Sequence, residues 1–420
     1  CGWVRNQGMV LPMHIAVFTD YYLPTLGGVQ TSIKAQKDTL EAAGHRVTVF
    51  CPLHEPSGDP TVVQLPTSKV IKPDNYPYTW PPKRAKRFAQ NYMDSIEPVD
   101  VVHVHSEMAA AAAGVHVARS RGLPLVQTMH GRVDVYTQCV LPFPAATSVL
   151  LSWLYNRNNP VRPVTLRDAP YTRTALARRM WKLMVNQANY ADHVIVPSHH
   201  FAHKLQYQGV NKPLTVLSNG LESTLLSQLR AIKPREYTGG DTEFRIMWCG
   251  RVSQEKRPID FLRAIRQLPE NVVVNMYGSG PAMKSVRRYI TRHRLSGRVT
   301  LHGPVPQQTV LTAMQEHHLF ASTSYDFDNQ PMVLLEAHAA GTPVLLCDPD
   351  LTEVVPSEGT VLTATPDSQS IAAAVRELMA HPARVREMSD YLLKSCDSTL
   401  QQPLTEQLLG VYESVLQPSA

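Results

Sequence analysis

The sequence contains no CxxC pair, no GxGxxG and no apolar run of the roughly 18 to 20 residues that a membrane-spanning helix needs. Its cysteines, Cys1, Cys51, Cys139, Cys249, Cys347 and Cys396, are scattered. Neither a zinc site nor a disulfide framework is supported, and reduced thiols in a cytoplasmic chain are expected. The missing dinucleotide fingerprint weighs against a nicotinamide or flavin enzyme. The opening CGWVRNQGMVLP has neither an initiator Met nor the apolar block of a signal peptide. Met13 therefore reads as the natural start, behind an unstructured extension or upstream translation.

What is present suits a two-domain globular protein: 420 residues, 43% hydrophobic and 18% charged. The net charge of +6 is uneven. Residues 1–190 hold 20 Lys+Arg against 12 Asp+Glu, or +8, leaving 21 against 23, or −2, for the rest. The first half is thus expected to meet an anionic surface, for which a polyanion and an acidic membrane both qualify.

His14 to Thr19 (HIAVFT) reads as a buried strand. Gly27 and Gly28 open a helix with Val29, Ile33, Leu40 and Ala43 on one face, ended by Gly44. Strand Arg46 to Cys51 completes a βαβ unit whose paired glycines let backbone N–H groups approach a diphosphate or sugar; a tight turn without ligand is the alternative. Lys83 to Ile96 is predicted to be a basic amphipathic helix, with Ala85, Phe88, Ala89, Tyr92, Met93 and Ile96 at helical spacing and Lys83, Arg84, Lys86 and Arg87 crowding its first turns. Such a helix suits anionic lipid, and equally a face packed on its own domain.

His103 and His105 share one face of the strand VDVVHVH, but no third ligand accompanies them and no metal is expected. His130 follows strand Leu125–Thr128 in MHGRVDVY, just past a strand's C-terminal end, where open α/β sheets place their ligands. Residues 140–182 read as irregular at first and then helical, with arginines that suit an acceptor, a membrane or solvent. Leu221 to Gly240 reads as an interdomain linker.

A second α/β domain is predicted from Phe244. FRIMWCG runs into GRVSQEKRP, where Arg251 and Lys256 can clamp a diphosphate. VVVNMYGSGP repeats the strand-to-glycine pattern with Gly278 and Gly280. In YDFDNQPMVLLEAHAAGTPV, Tyr325 to Val344, Asp328 and Glu336 flank a loop that turns into a helix, with Pro331 placed at the first helical position. A positive helix end between two acids suits a ligand with a phosphate at one end and hydroxyls at the other, as in a sugar nucleotide.

LGGVQ, TMHG, GRVSQEK, YGSGP and DNQPMVLLEAHAAGTPV, taken in order, resemble the retaining glycosyltransferases of family 4. The resemblance covers nearly the whole chain from Met13. TDYYLPTLGGVQTS, VDVVHVHSE and TMHGRVDVY look most like the bacterial glucosyltransferases that build glycolipids on diacylglycerol. It implies an α/β GT-B fold, two Rossmann-like domains facing a cleft: an acceptor domain at 13–222, a linker at 223–242, a nucleotide-sugar domain at 243–396, and a C-terminal helix within 397–420 packed back on the first domain.

The resemblance further implies that Arg251 and Lys256 neutralise the donor diphosphate and that Glu336, the second acid of the family's E-x7-E pattern, binds ribose hydroxyls. Asp328 stands where the first Glu is usual and faces the transferred sugar with a side chain one methylene shorter. Backbone N–H groups of Met332 and Val333 meet sugar or diphosphate, Gly27, Gly28 and Gly278 belong to the donor site, and His130 positions the sugar near the reacting carbon.

UDP-glucose is the expected donor, with GDP-mannose behind it. A diacylglycerol-type lipid is the expected acceptor, with a non-lipid glycan as the alternative, and nucleic acid is not expected as a partner. Peripheral contact with the inner face of the cell membrane through Lys83, Arg84, Lys86 and Arg87 is expected as well. No cofactor or metal is expected, because cationic side chains usually serve this fold, so Asp326-Phe327-Asp328, which spells the DxD metal motif of another fold, is discounted. Two readings from other classes remain: a nucleotide-cofactor oxidoreductase and a non-catalytic membrane-surface binding protein.

Overall fold

The computed structural model describes residues 12–25, 27–70, 72, 76–159, 161–230 and 234–417. Residues 1–11, where the extension was expected, and Leu26 of the LGGVQ motif lie outside them. Two parallel sheets organise the chain. The first is seven-stranded, in the order β3-β2-β1-β4-β5-β6-β7. Its strands are β1 (His14–Phe18), β2 (Arg46–Cys51), β3 (Val62–Gln64), β4 (Val101–Val104), β5 (Leu125–Thr128), β6 (His193–Val196) and β7 (Leu214–Val216). The second is six-stranded, in the order β10-β9-β8-β11-β12-β13. It comprises β8 (Phe244–Cys249), β9 (Val272–Tyr277), β10 (Val299–Gly303), β11 (Leu319–Ser322), β12 (Val344–Leu346) and β13 (Thr360–Leu362).

These strands are short apolar runs because helices cover both faces of a parallel sheet. In β1, Ala16 and Phe18 enter one core while Ile15 and Val17 enter the core on the opposite face, as the two-residue period requires. Counted from its own first strand, each sheet follows the Rossmann order 3-2-1-4-5-6, the first with one strand added. The order reverses between β1 and β4 and again between β8 and β11. Ligands of open sheets bind outside the strand ends at such reversals, so four loops carry the expected chemistry.

The helix Gln401–Leu416 packs on the first sheet, not the second: Leu408, Val411 and Tyr412 join Ile15, Val17, Ile33 and Val49 in one core. Where the chain crosses, Leu221 N donates to Thr399 O at 2.7 Å and Gln401 N to Leu221 O at 2.9 Å.

Four expectations are corrected. Residues 140–182 are helical first and irregular afterwards: Pro144–Asn158 is a helix with Pro144 in its first turn, and a second helix, Ala175–Ala188, follows an open stretch. The region expected to be linker begins with the helix Ser223–Arg230, whose Leu226 and Leu229 are buried with the second domain's core. Pro331 caps the helix Met332–Ala339 from outside and is not its first residue. The basic helix, Pro82–Met93, is shorter than expected, and Ala85, Ala89 and Met93 pack into the first domain's own core. That part of its apolar face is therefore occupied by its own domain, while Phe88, Lys83, Arg84 and Arg87 are exposed.

Candidate active site

The four switch-point loops and the loop after β5 converge on one cleft of about 300 Å³. From the first domain it is lined by Tyr21, Gly28, His105, Glu107, His130 and Tyr136, and from the second by Arg251, Phe327, Asp328, Asn329 and Pro331.

Gly28 begins the helix Gly28–Ala42, and a Cβ there would stand 3.0 Å from Met332 Cγ of the second domain. The missing side chain lets the start of one helix approach the start of another across the cleft. Behind it, buried Asp20 accepts from Met108 N at 3.0 Å, Ala110 N at 2.9 Å and Ser106 Oγ at 2.7 Å, which fixes the loop after β4. That loop carries Glu107. Burial, assisted by the Asp20 charge, pushes the Glu107 carboxyl up to about 8.

His130 ends a row of three imidazoles. Its Nε2 lies 3.0 Å from His105 Nδ1, and His105 Nε2 lies 3.2 Å from His103 Nδ1. His103 Nδ1 also meets the Tyr412 hydroxyl at 2.8 Å, and His103 Nε2 meets Thr128 Oγ1 at 2.7 Å. Burial pushes His130 down to about 4, His103 to about 3 and His105 well below its usual value, so all three rings are neutral at pH 7. The His130 carbonyl accepts from Asn329 Nδ2 at 3.1 Å, tying it to the second domain.

Arg251 follows β8 and lies across the cleft over the Tyr136 ring, 6.0 Å from its centroid. Lys256 Nζ donates to both carboxylate oxygens of Asp328 at 2.6 Å. The acid placed at the sugar is thus held by the cation placed at the diphosphate. Glu336 lies deeper in the Met332–Ala339 helix and accepts from Gln307 Nε2 at 2.6 Å, while burial raises its carboxyl above the usual range. The amides of Met332 and Val333 open the same helix, where no intrahelical carbonyl is available to them.

Of the expected site residues, His130, Gly28, Arg251 and Asp328 line the cleft, and Lys256 adjoins it through Asp328. Gly27, Met332, Val333 and Glu336 sit on the helix starts and first turns behind it. Gly278 does not line it. At φ +114 its missing Cβ would fall 2.0 Å from Gly250 O, so Gly278 shapes the loop bearing Arg251. Lys86 is spent on the Asn158 carbonyl, to which it donates at 2.5 Å.

Two groups that sequence reasoning passed over stand out. Glu107 lies in VDVVHVHSE at a switch-point strand end, a signal as good as that for His130. Arg132, two residues past His130, is 3% exposed. It donates to both Asp134 oxygens at 2.8 Å and crosses to Asp326 Oδ1 at 2.9 Å. Asp326 also meets Lys204 Nζ at 3.1 Å. The two acids of the DFD run are therefore each engaged by cations, on different partners.

Two Rossmann-ordered domains sharing one cleft, with cations and a helix start on one wall and histidines on the other, define a GT-B glycosyltransferase. The family described as Glycosyltransferase Family 4 matches residues 26–224, and that described as Glycosyl transferases group 1 matches 243–381. Among similar proteins, an alpha-monoglucosyldiacylglycerol synthase of Acholeplasma laidlawii is 24% identical over 83% of this chain and 83% of its own length. A GDP-mannose-dependent alpha-(1-6)-phosphatidylinositol dimannoside mannosyltransferase of Mycobacterium tuberculosis is 23% identical over 89% of this chain and 90% of its own. In structure, the sucrose-phosphate synthase of Thermosynechococcus elongatus superposes with a TM-score of 0.70 at 16% identity, covering 96% of this chain and 99% of that one. The chain belongs to family 4 of the glycosyltransferases and is a hexosyltransferase.

Proposed function

We propose that the protein transfers a hexose, glucose by preference, from a nucleotide sugar to a hydroxyl of a diacylglycerol-type lipid, with retention at the anomeric carbon. The observation that carries the donor half is the shared cleft, where Arg251, the Lys256–Asp328 pair and the start of the Met332–Ala339 helix face His130 across Gly28. A diphosphate entering there meets Arg251, Lys256 and the amides of Met332 and Val333, which stabilise the negative charge that grows on the leaving group. Lys256 then exchanges Asp328 for phosphate, freeing the carboxylate to accept from sugar hydroxyls. Glu336 and Gln307 meet the ribose.

His130, neutral at pH 7, holds the sugar by a hydrogen bond and does not act as a cation. Glu107, protonated below about 8, sits where an acceptor hydroxyl would approach. In front-face transfer the leaving phosphate itself takes the acceptor's proton, which a protonated Glu107 does not contest. Cationic side chains supply the electrostatics, so the proposed reaction needs no divalent metal.

The glucosyldiacylglycerol-synthase relative supports the lipid acceptor and glucose, and the mannosyltransferase relative supports GDP-mannose and a phosphoinositide as the second reading. A thermal-shift panel of UDP-, GDP- and ADP-sugars, followed by transfer to diacylglycerol, glycosyl-diacylglycerol and phosphoinositide with EDTA present, tests both. Stabilisation by UDP-glucose and EDTA-resistant transfer to diacylglycerol are expected. Stabilisation by NAD(H) alone, or activity that needs Mn²⁺, contradicts the reading.

A further inference from the structure

The helix Pro144–Asn158 is apolar on its outer side as well as its inner one. Its inner side buries Ser148, whose hydroxyl takes a hydrogen bond from Arg179, together with Tyr155. Its outer side presents Val149, Leu150 and Trp153 at 51%, 53% and 55% exposure, flanked by Phe143 at 83% and Val161 at 47%. A water-facing helix keeps its apolar stripe inward, and a helix apolar on both sides is expected to have both covered.

The charge around the patch has one sign. Residues 81–93 and 140–167 contain Lys83, Arg84, Lys86, Arg87, Arg157, Arg162 and Arg167 and no Asp or Glu. Lys86 joins the two helices through the Asn158 carbonyl, which sets the basic first turns of Pro82–Met93 beside the end of Pro144–Asn158. The Arg157 guanidinium lies 5.6 Å from the Trp153 ring centroid, at the edge of the apolar patch. The nearby acids Asp94, Glu97 and Asp168 are paired with Arg121, Arg46 and Arg178.

The inner side of the same helix adjoins the cleft. A narrow cavity of about 30 Å³ behind it is lined by Trp80, Pro82, Leu151 and Leu154 together with Glu107, Met108 and Val133. Those last three residues line the catalytic cleft as well.

We propose that the outer face of Pro144–Asn158, rimmed by Lys83, Arg84, Arg87, Arg157 and Arg162, docks on an anionic lipid bilayer and turns the acceptor side of the cleft toward it. Shallow apolar insertion beside a one-signed rim is what an interfacial helix uses. No helix among the described residues is long and apolar enough to cross a membrane, so the contact lies in the interface. A second copy of the chain is the poorer occupant, because a two-fold contact would set seven cations against the same seven. The orientation toward the cleft rests on the lipid-acceptor reading above; the docking itself does not.

Co-sedimentation of the full chain with phosphatidylcholine vesicles, with and without phosphatidylglycerol, tests this. The wild type is expected to pellet with the anionic vesicles and to be released by salt. The triple variant Val149→Ser, Leu150→Ser, Trp153→Ser is expected to bind about tenfold more weakly or worse, with unchanged melting temperature and donor binding. A set with Lys83, Arg84, Arg87 and Arg157 changed to Gln is expected to lose the preference for phosphatidylglycerol.

Equal vesicle binding by the triple variant overturns the proposal, as does a wild-type dimer that the triple variant abolishes. A wild type that ignores vesicles yet glucosylates detergent-dispersed diacylglycerol removes the docking surface and leaves the function standing. Vesicle binding with transfer only to soluble glycans does the reverse.

Discussion

The ammonium of Lys256 stands 2.6 Å from both carboxylate oxygens of Asp328, with the two side chains only 20% and 12% exposed. Two residues 72 positions apart thus close one ion pair at the edge of the donor cleft. Replacing Lys256 by Ala removes a cation from the leaving group and strands a mostly buried acid. A loss of about 10²–10³-fold in kcat and a lower melting temperature are expected. Asp328→Asn leaves Lys256 in place and is expected to raise the donor KM with a smaller effect on stability. Steady-state kinetics and thermal unfolding check both, and wild-type turnover in Lys256→Ala removes Lys256 from the donor chemistry.

The histidine row predicts an acid-side loss of stability. His130 and His103 titrate near 4 and 3 when folded, against 6.5 for an ordinary imidazole, and His105 is also well below it. The unfolded chain binds these protons first as the pH falls, so their contribution is fully present above about 6.5 and is lost progressively toward 4. Thermal unfolding across pH 4 to 8 reads this directly. A double variant, His103→Gln with His105→Gln, is expected to flatten the slope.

Tyr412 acts on that row from the C-terminal helix. In one consistent proton arrangement, Nε2–H of His103 donates to Thr128, Nε2–H of His105 to His103, and Nε2–H of His130 to His105, leaving His130 Nδ1 an acceptor. In that set the single Nδ1 lone pair of His103 is shared between His105 Nε2–H at 3.2 Å and the Tyr412 hydroxyl at 2.8 Å, so the Tyr412 contact favours the Nε2–H tautomer of His103. Tyr412→Phe is expected to lower kcat, with donor affinity unchanged. Equal losses in kcat and in donor affinity would mark the contact as packing only.

Glu107 carries the opposite pH signature. Its carboxyl is raised from 4.5 to about 8, so between those values the folded protein holds a proton that the unfolded chain has released. Stability therefore falls as the pH rises through that window. Glu107→Gln, which imitates the neutral acid, is expected to remove that slope and to keep transfer at pH 7. Inactivity of a folded Glu107→Gln would make Glu107 a carboxylate base instead.

Gly28 sets the spacing of the two domains. Gly28→Ala brings a methyl to 3.0 Å from Met332 Cγ, so the Met332 side chain at the facing helix start must give by a few tenths of an ångström. A loss of about tenfold in kcat/KM is expected, because misplacement of this order is felt steeply. The melting temperature should hold, since the only neighbour the methyl meets is the flexible Met332 side chain.

The fold was legible because parallel strands buried on both faces appear as short apolar runs: HIAVF, FRIMWC and VVVNMY needed no partner to be read. Residues placed by strand ends, His130 and Arg251 among them, followed from the same runs. Pro144–Asn158 was missed because its outward Val149, Leu150 and Trp153 erase the helical period that a water-facing helix shows, and because its prolines resembled a loop. Glu107 and Arg132 depend on Asp20 and Asp326, partners far away in sequence, and the capture of Asp328 by Lys256 is likewise invisible locally. The basic helix was readable as amphipathic, but no pattern could tell whether Ala85 and Met93 meet lipid or their own core.

The most direct test of the central claim is calorimetric titration of UDP-glucose, GDP-mannose and NAD(H) into the wild type and into Arg251→Ala with Lys256→Ala. One sugar nucleotide is expected to bind the wild type and to lose at least about 100-fold in affinity in the double variant, as charge-assisted contacts to a diphosphate imply, while NAD(H) gives no heat. Undiminished sugar-nucleotide binding in the double variant, or binding of NAD(H) alone, would contradict a donor cleft built on Arg251 and Lys256.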